Sequence, residues 1–349
     1  MSVHDLVAQL RALNVRLWVD AGRLRFRAPP GVVTSALRAE IAAHQPELLS
    51  WLRRASGAQD GGEIVRVPRD GALPLSFAQQ RLWVVEQLSP GIVAYNMPMA
   101  IRLEGELDRA ALSRSLNEIV SRHEALRTRF VAVEGKAQQV IDEDAVLDLP
   151  FVDLRTWEAQ SRERELARLG RDSTLATFDL SAGPLLRAQL VRAAEREHVL
   201  LLTIHHIVSD GWTLGILMRE LRVLYGAHSR GEASPLAPLP VQYADFAQWQ
   251  RNSLRGAVLD EHLGYWKERL AGLPKLELAT DRRRPPVPSY AGAVAVVGLQ
   301  SRLGQQLESL SRGDGATLFM TLLSAFFVLL QRYSAQGDLA VGSPIANRA

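Results

Sequence analysis

The sequence predicts an α/β layered domain with a small separate unit in front of it. Helical patterns, such as the one from Leu112 to Val120, alternate with strand-like runs such as "HVLLLTI" and "AVAVVGL" over most of the chain. Between residues 55 and 62 the stretch "ASGAQDGG" has no apolar periodicity and consists mostly of small residues, which is typical of a linker. We therefore expect a domain boundary there.

The first 54 residues predict the order helix, strand, strand, helix, helix. A capping-box pattern that begins at Ser2 precedes leucines at helical spacing. The stretch "RLWVDAGRLRFR" (16–27) alternates apolar and polar residues around the turn residues "DAG", which indicates a β-hairpin. Thr34 can cap the next helix, and Pro46 can open the last one.

The composition is that of a globular protein and excludes several kinds of site. Hydrophobic residues make up 47% and charged residues 23% of the chain. No cysteine is present, so there is no disulfide, thiolate nucleophile or cysteine-bound metal, and a reducing cytoplasm is favoured. The net charge of +3 is spread over mixed signs and does not indicate nucleic-acid binding. Around Lys136, "VEGKAQ" lacks the pattern of a phosphate-binding loop.

The most apolar run, "LFMTLLSAFFVLL" (318–330), is expected to be a buried helix. It is shorter than the roughly 20 residues that a bilayer requires, and it contains Thr321 and Ser324. The N-terminus lacks the cationic lead and apolar core of an export signal. We therefore expect no membrane association and a cytoplasmic location.

The stretch "HHIVSDG" (205–211) is the candidate active site. Residues 199–204 have the length and β-branched content of a strand that is buried on both faces, and this strand ends at the two histidines. Leucines at helical spacing follow Gly211, so the stretch joins a central strand to a helix. Loops in this position commonly carry chemistry.

Several interpretations of this loop compete. Asp210 can simply cap the helix. Neighbouring histidines on an extended backbone point in opposite directions, so His205 and His206 cannot easily share one metal ion, and no metal site is predicted. A triad of His206 with Ser209 and Asp210 is disfavoured because triad members are brought together by the fold rather than by one loop. What remains is one histidine facing the site, which suits proton handling in acyl transfer.

The motif "HHIVSDGWT" resembles the HHxxxDG signature of nonribosomal peptide synthetase condensation domains, which belong to the chloramphenicol acetyltransferase-like superfamily. His205 argues against heterocyclisation domains, which have aspartate there, and the sequence is most similar to the subtype that joins two L-configured units. Four other stretches resemble the family's motifs in the family's order: "SFAQQRLWVVEQL" (76–88), "RHEALRTRF" (122–130), "YADFAQWQ" (243–250) and "VGSPIANR" (341–348).

The resemblance implies a two-lobed chloramphenicol acetyltransferase-like fold with an incomplete second lobe, because the family's domain continues beyond the point that Arg348 occupies. Residues 1–54 resemble the docking domains at the N-termini of synthetase subunits of the tubulysin type. The expected division is a docking domain at 1–54, a linker at 55–71, the N-terminal lobe at 72–250 and the start of the C-terminal lobe at 251–349.

The implied reaction is amide formation between a donor acyl or peptidyl thioester and an acceptor aminoacyl thioester. Both are carried on the phosphopantetheine of carrier domains, and no cofactor is bound directly. His206 is the implied catalytic residue, with His205 and Asp210 as scaffold. Arg348 is the implied partner of Asp210 in a buried ion pair, the alternative being a surface residue. Gly211 is expected to allow a tight turn that a side chain would obstruct.

The N-terminal unit, residues 1–54, is expected to bind an acidic partner. Its eight arginines and four carboxylates give a net charge of +4. Arg23, Arg25 and Arg27 alternate with Leu24 and Phe26, which predicts arginines outward and apolar side chains inward. The expected partner is the acidic C-terminal tail of an upstream synthase subunit; arginines that only keep the unit soluble are the alternative. Homodimerisation of the unit is left open.

Two other functions are compatible with the motifs. A free-standing acyltransferase that uses coenzyme A or a carrier thioester belongs to the same superfamily, but it would not need a docking unit. A degenerate docking or interaction module would not need His206, Asp210 and Gly211, all of which are intact.

Overall fold

The computed structural model describes residues 6–7, 10, 13, 15–20, 23–29, 33–49, 63–283, 285–286 and 292–343. Among these residues no single helix is long and apolar enough to cross a bilayer. The helices Ser301–Gly313 and Leu318–Ser334 reach that length and apolar content only as a pair, and they are bent by 104° at the break between them.

The N-terminal unit contains the predicted hairpin. Strands β1 (Arg16–Asp20) and β2 (Arg23–Arg27) are antiparallel, with Leu17 opposite Phe26. Helix α1 (Ser35–Ala43) follows, and residues 6, 7, 10 and 45–49 are helical as well. The predicted order is therefore confirmed where the unit is described, although Asp20 ends β1 instead of lying in the turn. The Ser2 capping box lies outside the described residues.

Thr34 caps helix α1 as predicted, because its Oγ1 accepts the Leu37 N–H at 3.2 Å.

Leu24 packs against a small buried core, whereas Phe26 is 37% exposed, so the prediction that both pack inward is wrong for Phe26. Phe26 lies near the end of the hairpin away from the turn, opposite Leu17. The buried members of this core are Leu6, Val7, Leu10, Val15, Leu37, Ile41 and Leu48.

The larger part of the chain is α/β, as predicted, and its described residues form two sheets. A three-stranded antiparallel sheet has the order β3-β6-β5, with β3 at Leu73–Pro74, β5 at Thr128–Val133 and β6 at Lys136–Ile141. A four-stranded sheet has the order β4-β9-β8-β7, with β4 at Asn96–Glu104, β7 at Phe151–Asp153, β8 at Leu186–Ala194 and β9 at Glu197–His205. Only the β7–β8 pair is parallel among the described strands.

Eight helices surround and follow these sheets in the described part of the larger domain. They are α2 (Phe77–Leu88), α3 (Arg109–Arg122), α4 (Ala159–Leu175), α5 (Gly211–His228), α6 (Tyr243–Ser253), α7 (Ala257–Arg269), α8 (Ser301–Gly313) and α9 (Leu318–Ser334). Short 3-10 turns at Val93–Tyr95 and Glu124–Arg127 lead into β4 and β5.

Strand β9 is buried on both faces, which confirms the prediction for residues 199–204. Leu200 and Leu202 belong to the main core, which also contains buried residues of α3 and α5. Val199 and Leu201 belong to a second buried cluster that includes Leu169 of α4. Helices therefore cover both faces of the sheet, which explains why the strand is continuously apolar instead of alternating.

Residues 292–300 and helix α9 differ from their predictions. The run "AVAVVGL" has no strand partner among the described residues, and Val294 and Val296 are 89% and 91% exposed. The helix predicted at 318–330 is present, but the prediction that it is buried is wrong for most of its apolar side chains; Phe319 is 60% exposed. Helix α8 packs on one side of α9, where Ser311 Oγ lies 2.7 Å from Thr321 Oγ1, and Leu330 is buried. Burial of the other apolar side chains requires a further covering layer, which no described element supplies.

Candidate active site

The candidate site lies where strand β9 ends and helix α5 begins. The chain leaves the sheet after His205 and turns, with the Val208 N–H donating to the His205 carbonyl at 3.1 Å. The His206 N–H donates to the Tyr95 carbonyl at 2.9 Å, which fixes the loop to the residue just before β4. Helix α5 starts at Gly211, so the structure has the strand, loop and helix that the motif predicts.

The two histidines point to different surroundings. His205 is 2% exposed, near the rings of Tyr95 and Phe178, and its Nδ1 accepts the Ile207 N–H at 3.1 Å. His206 is exposed. The alternation of side chains at a strand end produces this divergence, which is the arrangement that the sequence favours.

Burial and the neighbouring His206 lower the pKa of His205 to about 4. At neutral pH the His205 ring is therefore uncharged, which suits its apolar surroundings. This histidine cannot act as the proton acceptor near pH 7, because its basicity is too low and its ring is not accessible.

The depressed pKa of His205 predicts acid-sensitive stability. The unfolded chain binds this proton near pH 6.5 but the folded chain binds it only near pH 4. The contribution of His205 to the free energy of unfolding is therefore full above pH 6.5 and decreases by about 3 kcal/mol as the pH falls to 4. Urea unfolding between pH 4 and pH 6.5 measures this dependence. The free energy of unfolding should change less with pH in His205→Asn, whose side-chain oxygen can still accept the Ile207 N–H, than in the wild type. Identical slopes for the two proteins would contradict this prediction.

His206 is held in one tautomer by the main chain. Its Nδ1 lies 2.6 Å from the Ser209 carbonyl oxygen. Because a carbonyl only accepts hydrogen bonds, Nδ1 must carry the proton in this contact. In the neutral ring Nε2 then carries the lone pair, on a side chain that is exposed. His206 can therefore accept a proton from a molecule bound at this end of the sheet.

Asp210 is the N-cap of helix α5, as the capping interpretation predicts. Its Oδ1 accepts the Thr213 N–H and the Thr213 hydroxyl, both at 2.8 Å. The implied partner, Arg348, lies outside the described residues, so the ion pair between Asp210 and Arg348 stays a prediction. Sequence reasoning did not assign a role to Thr213, although an N-cap residue followed three positions later by a polar residue is the pattern of a capping box.

Gly211 does not have the role expected of it. Its φ is not positive, and a Cβ built on it meets no described atom within 4 Å. The prediction that a side chain would obstruct a tight turn is therefore wrong among the described residues. Gly211 is the exposed first residue of a regular helix.

Two of the other motif stretches pack against each other. The Ser76 hydroxyl lies 3.0 Å from the hydroxyl of Tyr243, and the Phe77 N–H donates to the Gln250 side chain at 2.9 Å. Helices α2 and α6 are joined in this way although the sequence separates them by more than 150 residues. These motif residues therefore have a structural role, because they join two distant helices of the domain that carries the loop.

A buried ionic cluster attaches the segment before β3 to the same domain. Asp245 is 1% exposed and accepts hydrogen bonds from Arg69 at 2.7 Å, the Val67 N–H at 2.9 Å and the Gln242 N–H at 2.7 Å. Burial acts to raise the pKa of Asp245, but these hydrogen bonds outweigh it and lower the pKa. Arg69 also contacts Glu124 at 2.8 Å. Val67 and Arg69, expected in the linker, are thus bound to the domain.

The described residues contain no group of three or more histidine, aspartate or glutamate side chains placed to hold a metal ion. At the end of β9, one exposed imidazole has a defined basic nitrogen. A histidine of this kind, at the end of the central strand of an α/β domain, is typical of an enzyme that transfers a proton during a group-transfer reaction.

Comparisons with known families agree with this class. The condensation-domain model matches residues 69–349, and the model of the TubC N-terminal docking domain matches residues 3–54. The chain therefore belongs to the condensation-domain family and carries a docking domain at its N-terminus, as its motifs indicated.

Individual relatives match all or most of the chain. A linear gramicidin synthase component of Brevibacillus parabrevis is 46% identical over 351 residues, which cover 100% of this chain and 7% of that protein. The X-domain from teicoplanin biosynthesis, solved in complex with OxyB, is 31% identical, with a TM-score of 0.70 over 78% of this chain and 60% of that one. The EpoB cyclization-docking bidomain of Sorangium cellulosum, 24% identical, shares the fold, with a TM-score of 0.74 over 95% and 65%.

Proposed function

We propose that this chain forms an amide bond between a donor acyl or peptidyl thioester and the amine of an acceptor aminoacyl thioester. The observation that carries the proposal is the exposed His206 ring, whose Nδ1 is committed to the Ser209 carbonyl and whose Nε2 bears the lone pair. The relative with 46% identity is a subunit of a linear gramicidin synthase, which supports a role for this chain in a synthase of several subunits.

The chemical task of His206 follows from the acidity of the nucleophile. An α-amino group has a pKa near 8, so removing its proton beforehand at pH 7 costs only about 1 kcal/mol. Holding the amine and the thioester in attack geometry is worth several kcal/mol more. His206 therefore acts late: as nitrogen bonds to the carbonyl carbon, Nε2 takes the proton from nitrogen. The C–S bond then breaks, and the leaving sulfur takes this proton back from the His206 imidazolium, which releases a thiol and restores the neutral ring.

In this proposal the substrates arrive on the phosphopantetheine of a donor and an acceptor carrier domain, and no cofactor is bound directly. Residues 72–250 form the N-terminal lobe, and residues 251–349 belong to the C-terminal lobe. His205 and Asp210 support the loop. The ion pair between Asp210 and Arg348 belongs to the same proposal.

The proposal is tested with the complete synthetase and separately purified carriers loaded with acyl and aminoacyl groups. Intact mass spectrometry should show the joined product on the acceptor carrier. A product formed equally well from acyl coenzyme A would identify a free-standing type of acyltransferase instead. No product with any loaded donor would leave only the docking role and would overturn the proposal.

The docking domain is proposed to bind the acidic C-terminal tail of an upstream synthase subunit. Its net charge of +4 and the exposed Arg25 on strand β2 support an acidic partner. The strands β1 and β2 pair only with each other among the described residues, so the hairpin offers edges to which an extended peptide can add.

We expect the complete chain to bind a synthetic peptide of that tail, with an affinity that decreases as salt rises. Exposed charge pairs are screened over about 10 Å at 0.1 M ionic strength, which is the reason for this dependence. Changing Arg23, Arg25 and Arg27 to serine should weaken binding, as measured by calorimetry at low and high salt. Arg38→Ser, which removes one exposed charge from α1, should weaken binding less than Arg25→Ser does. Binding that is unaffected by the triple change would contradict the proposal.

A further inference from the structure

One peptide group connects His206 to helix α5. The carbonyl of Ser209 accepts from His206 Nδ1 at 2.6 Å, and the N–H of Asp210 donates to Thr213 Oγ1 at 3.1 Å. This carbonyl and this N–H are the two ends of the same peptide unit, and a peptide unit is planar. A hydrogen bond that fixes the N–H therefore also fixes the direction of the carbonyl.

The Thr213 hydroxyl is itself held in one orientation. It has a single hydrogen, which it donates to Asp210 Oδ1 at 2.8 Å, so its lone pairs are available to the Asp210 N–H. Thr213 lies in the first turn of α5, where the Asp210 carboxylate also accepts its main-chain N–H. The hydroxyl is thus attached to a regular helix on one side and to the His206 loop on the other.

We propose that Thr213 is a positioning residue for His206. Its hydroxyl orients the Ser209–Asp210 peptide so that the carbonyl faces Nδ1, and this contact keeps the proton on Nδ1 and the lone pair on Nε2. Without the hydroxyl the peptide can rotate, the Nδ1 contact weakens, and the other tautomer, which has no basic Nε2, becomes populated. This inference rests on the proposed function of His206 as a proton acceptor.

The chain offers a matched pair of variants at this position. Thr213→Val removes the hydroxyl at nearly the same side-chain size, whereas Thr213→Ser keeps it. Both variants retain the main-chain N–H that Asp210 Oδ1 accepts, so this half of the capping box is preserved in each. Differences between the two variants therefore report on the hydroxyl and on the two contacts that it makes with Asp210.

We expect Thr213→Val to lower kcat for amide formation about ten-fold, the equivalent of one hydrogen bond, with little change in KM. Thr213→Ser should remain near the wild type. Equal losses in Val and Ser, or a wild-type kcat in Val, would overturn the proposal. Should Thr213→Val fail to fold by circular dichroism, Thr213→Ala is compared with Ser in the same way.

A second readout does not depend on activity. Nitrogen-15 spectra of the histidine-labelled chain report which ring nitrogen carries the proton, and a His206→Gln spectrum identifies the His206 signals. We expect a protonated Nδ1 in the wild type and in Thr213→Ser, and a mixture of tautomers in Thr213→Val. An unchanged tautomer in Thr213→Val would overturn the inference, whether or not the loaded carriers condense. The expected mixture of tautomers would support the inference even if no condensation is observed.

Discussion

Replacing His206 with alanine in the complete synthetase is expected to slow amide formation between loaded carriers by about 10² to 10⁴-fold, the range of a lost proton acceptor. The ring is exposed and its loss removes one hydrogen bond, to the Ser209 carbonyl, so the free energy of unfolding should decrease by only about 1 kcal/mol. Rates are measured by quenched mass spectrometry under single turnover, and stability by thermal unfolding.

The control for this experiment is His262→Ala, which removes another exposed histidine, on helix α7. It should leave both the rate and the melting temperature close to those of the wild type. If loaded carriers condense at an undiminished rate in His206→Ala, then the assignment of His206 fails and positioning alone accounts for the reaction.

The largest effect on stability is expected at Asp245. Asp245→Ala leaves Arg69 without one of its two carboxylate partners and removes the acceptor of the Val67 and Gln242 N–H groups. Breaking one side of a buried ion pair costs about 3 to 5 kcal/mol. Urea unfolding of the complete chain should show this loss, and proteolysis should show earlier cleavage before β3.

Asp142 provides a matched control because it also pairs with an arginine. Its Oδ1 lies 3.0 Å from Nε of Arg129, but its side chain is 41% exposed, whereas that of Asp245 is 0% exposed. Exposed pairs contribute about 1 kcal/mol or less, so Asp142→Ala should have a small effect. Similar losses for the two variants would show that burial does not decide the contribution of Asp245.

Features that depend on local pattern could be predicted from the sequence. The continuous apolar run gave strand β9, and side-chain alternation at its end separated His205 from His206. The cap at Asp210 follows from a helix start signal, and Thr213 could have been recognised three positions later. The contact that fixes the His206 tautomer could not be predicted, because its acceptor is the main chain of Ser209 and a carbonyl has no sequence signature.

Features that depend on distant partners were missed. Arg69 lies in a stretch that resembles a linker, and its partner Asp245 is 176 residues away in the sequence. The apolar content of α9 predicted burial and that of residues 293–299 predicted a strand, but composition identifies surfaces that can be covered and not the elements that cover or pair with them. Gly211 was assigned to a strained turn because glycine often marks one, whereas the backbone there is regular.

The attachment of Arg69 to Asp245 and Glu124 also limits the distance between the docking domain and the condensation domain. Between Leu49 and Val67 the chain has about 18 residues, and an extended chain spans at most about 3.6 Å per residue, so the two residues lie within about 65 Å. One molecule confined to a sphere of that radius has an effective concentration on the order of millimolar. A synthase captured through the docking domain would therefore meet the condensation domain often even if the capture is weak and short-lived.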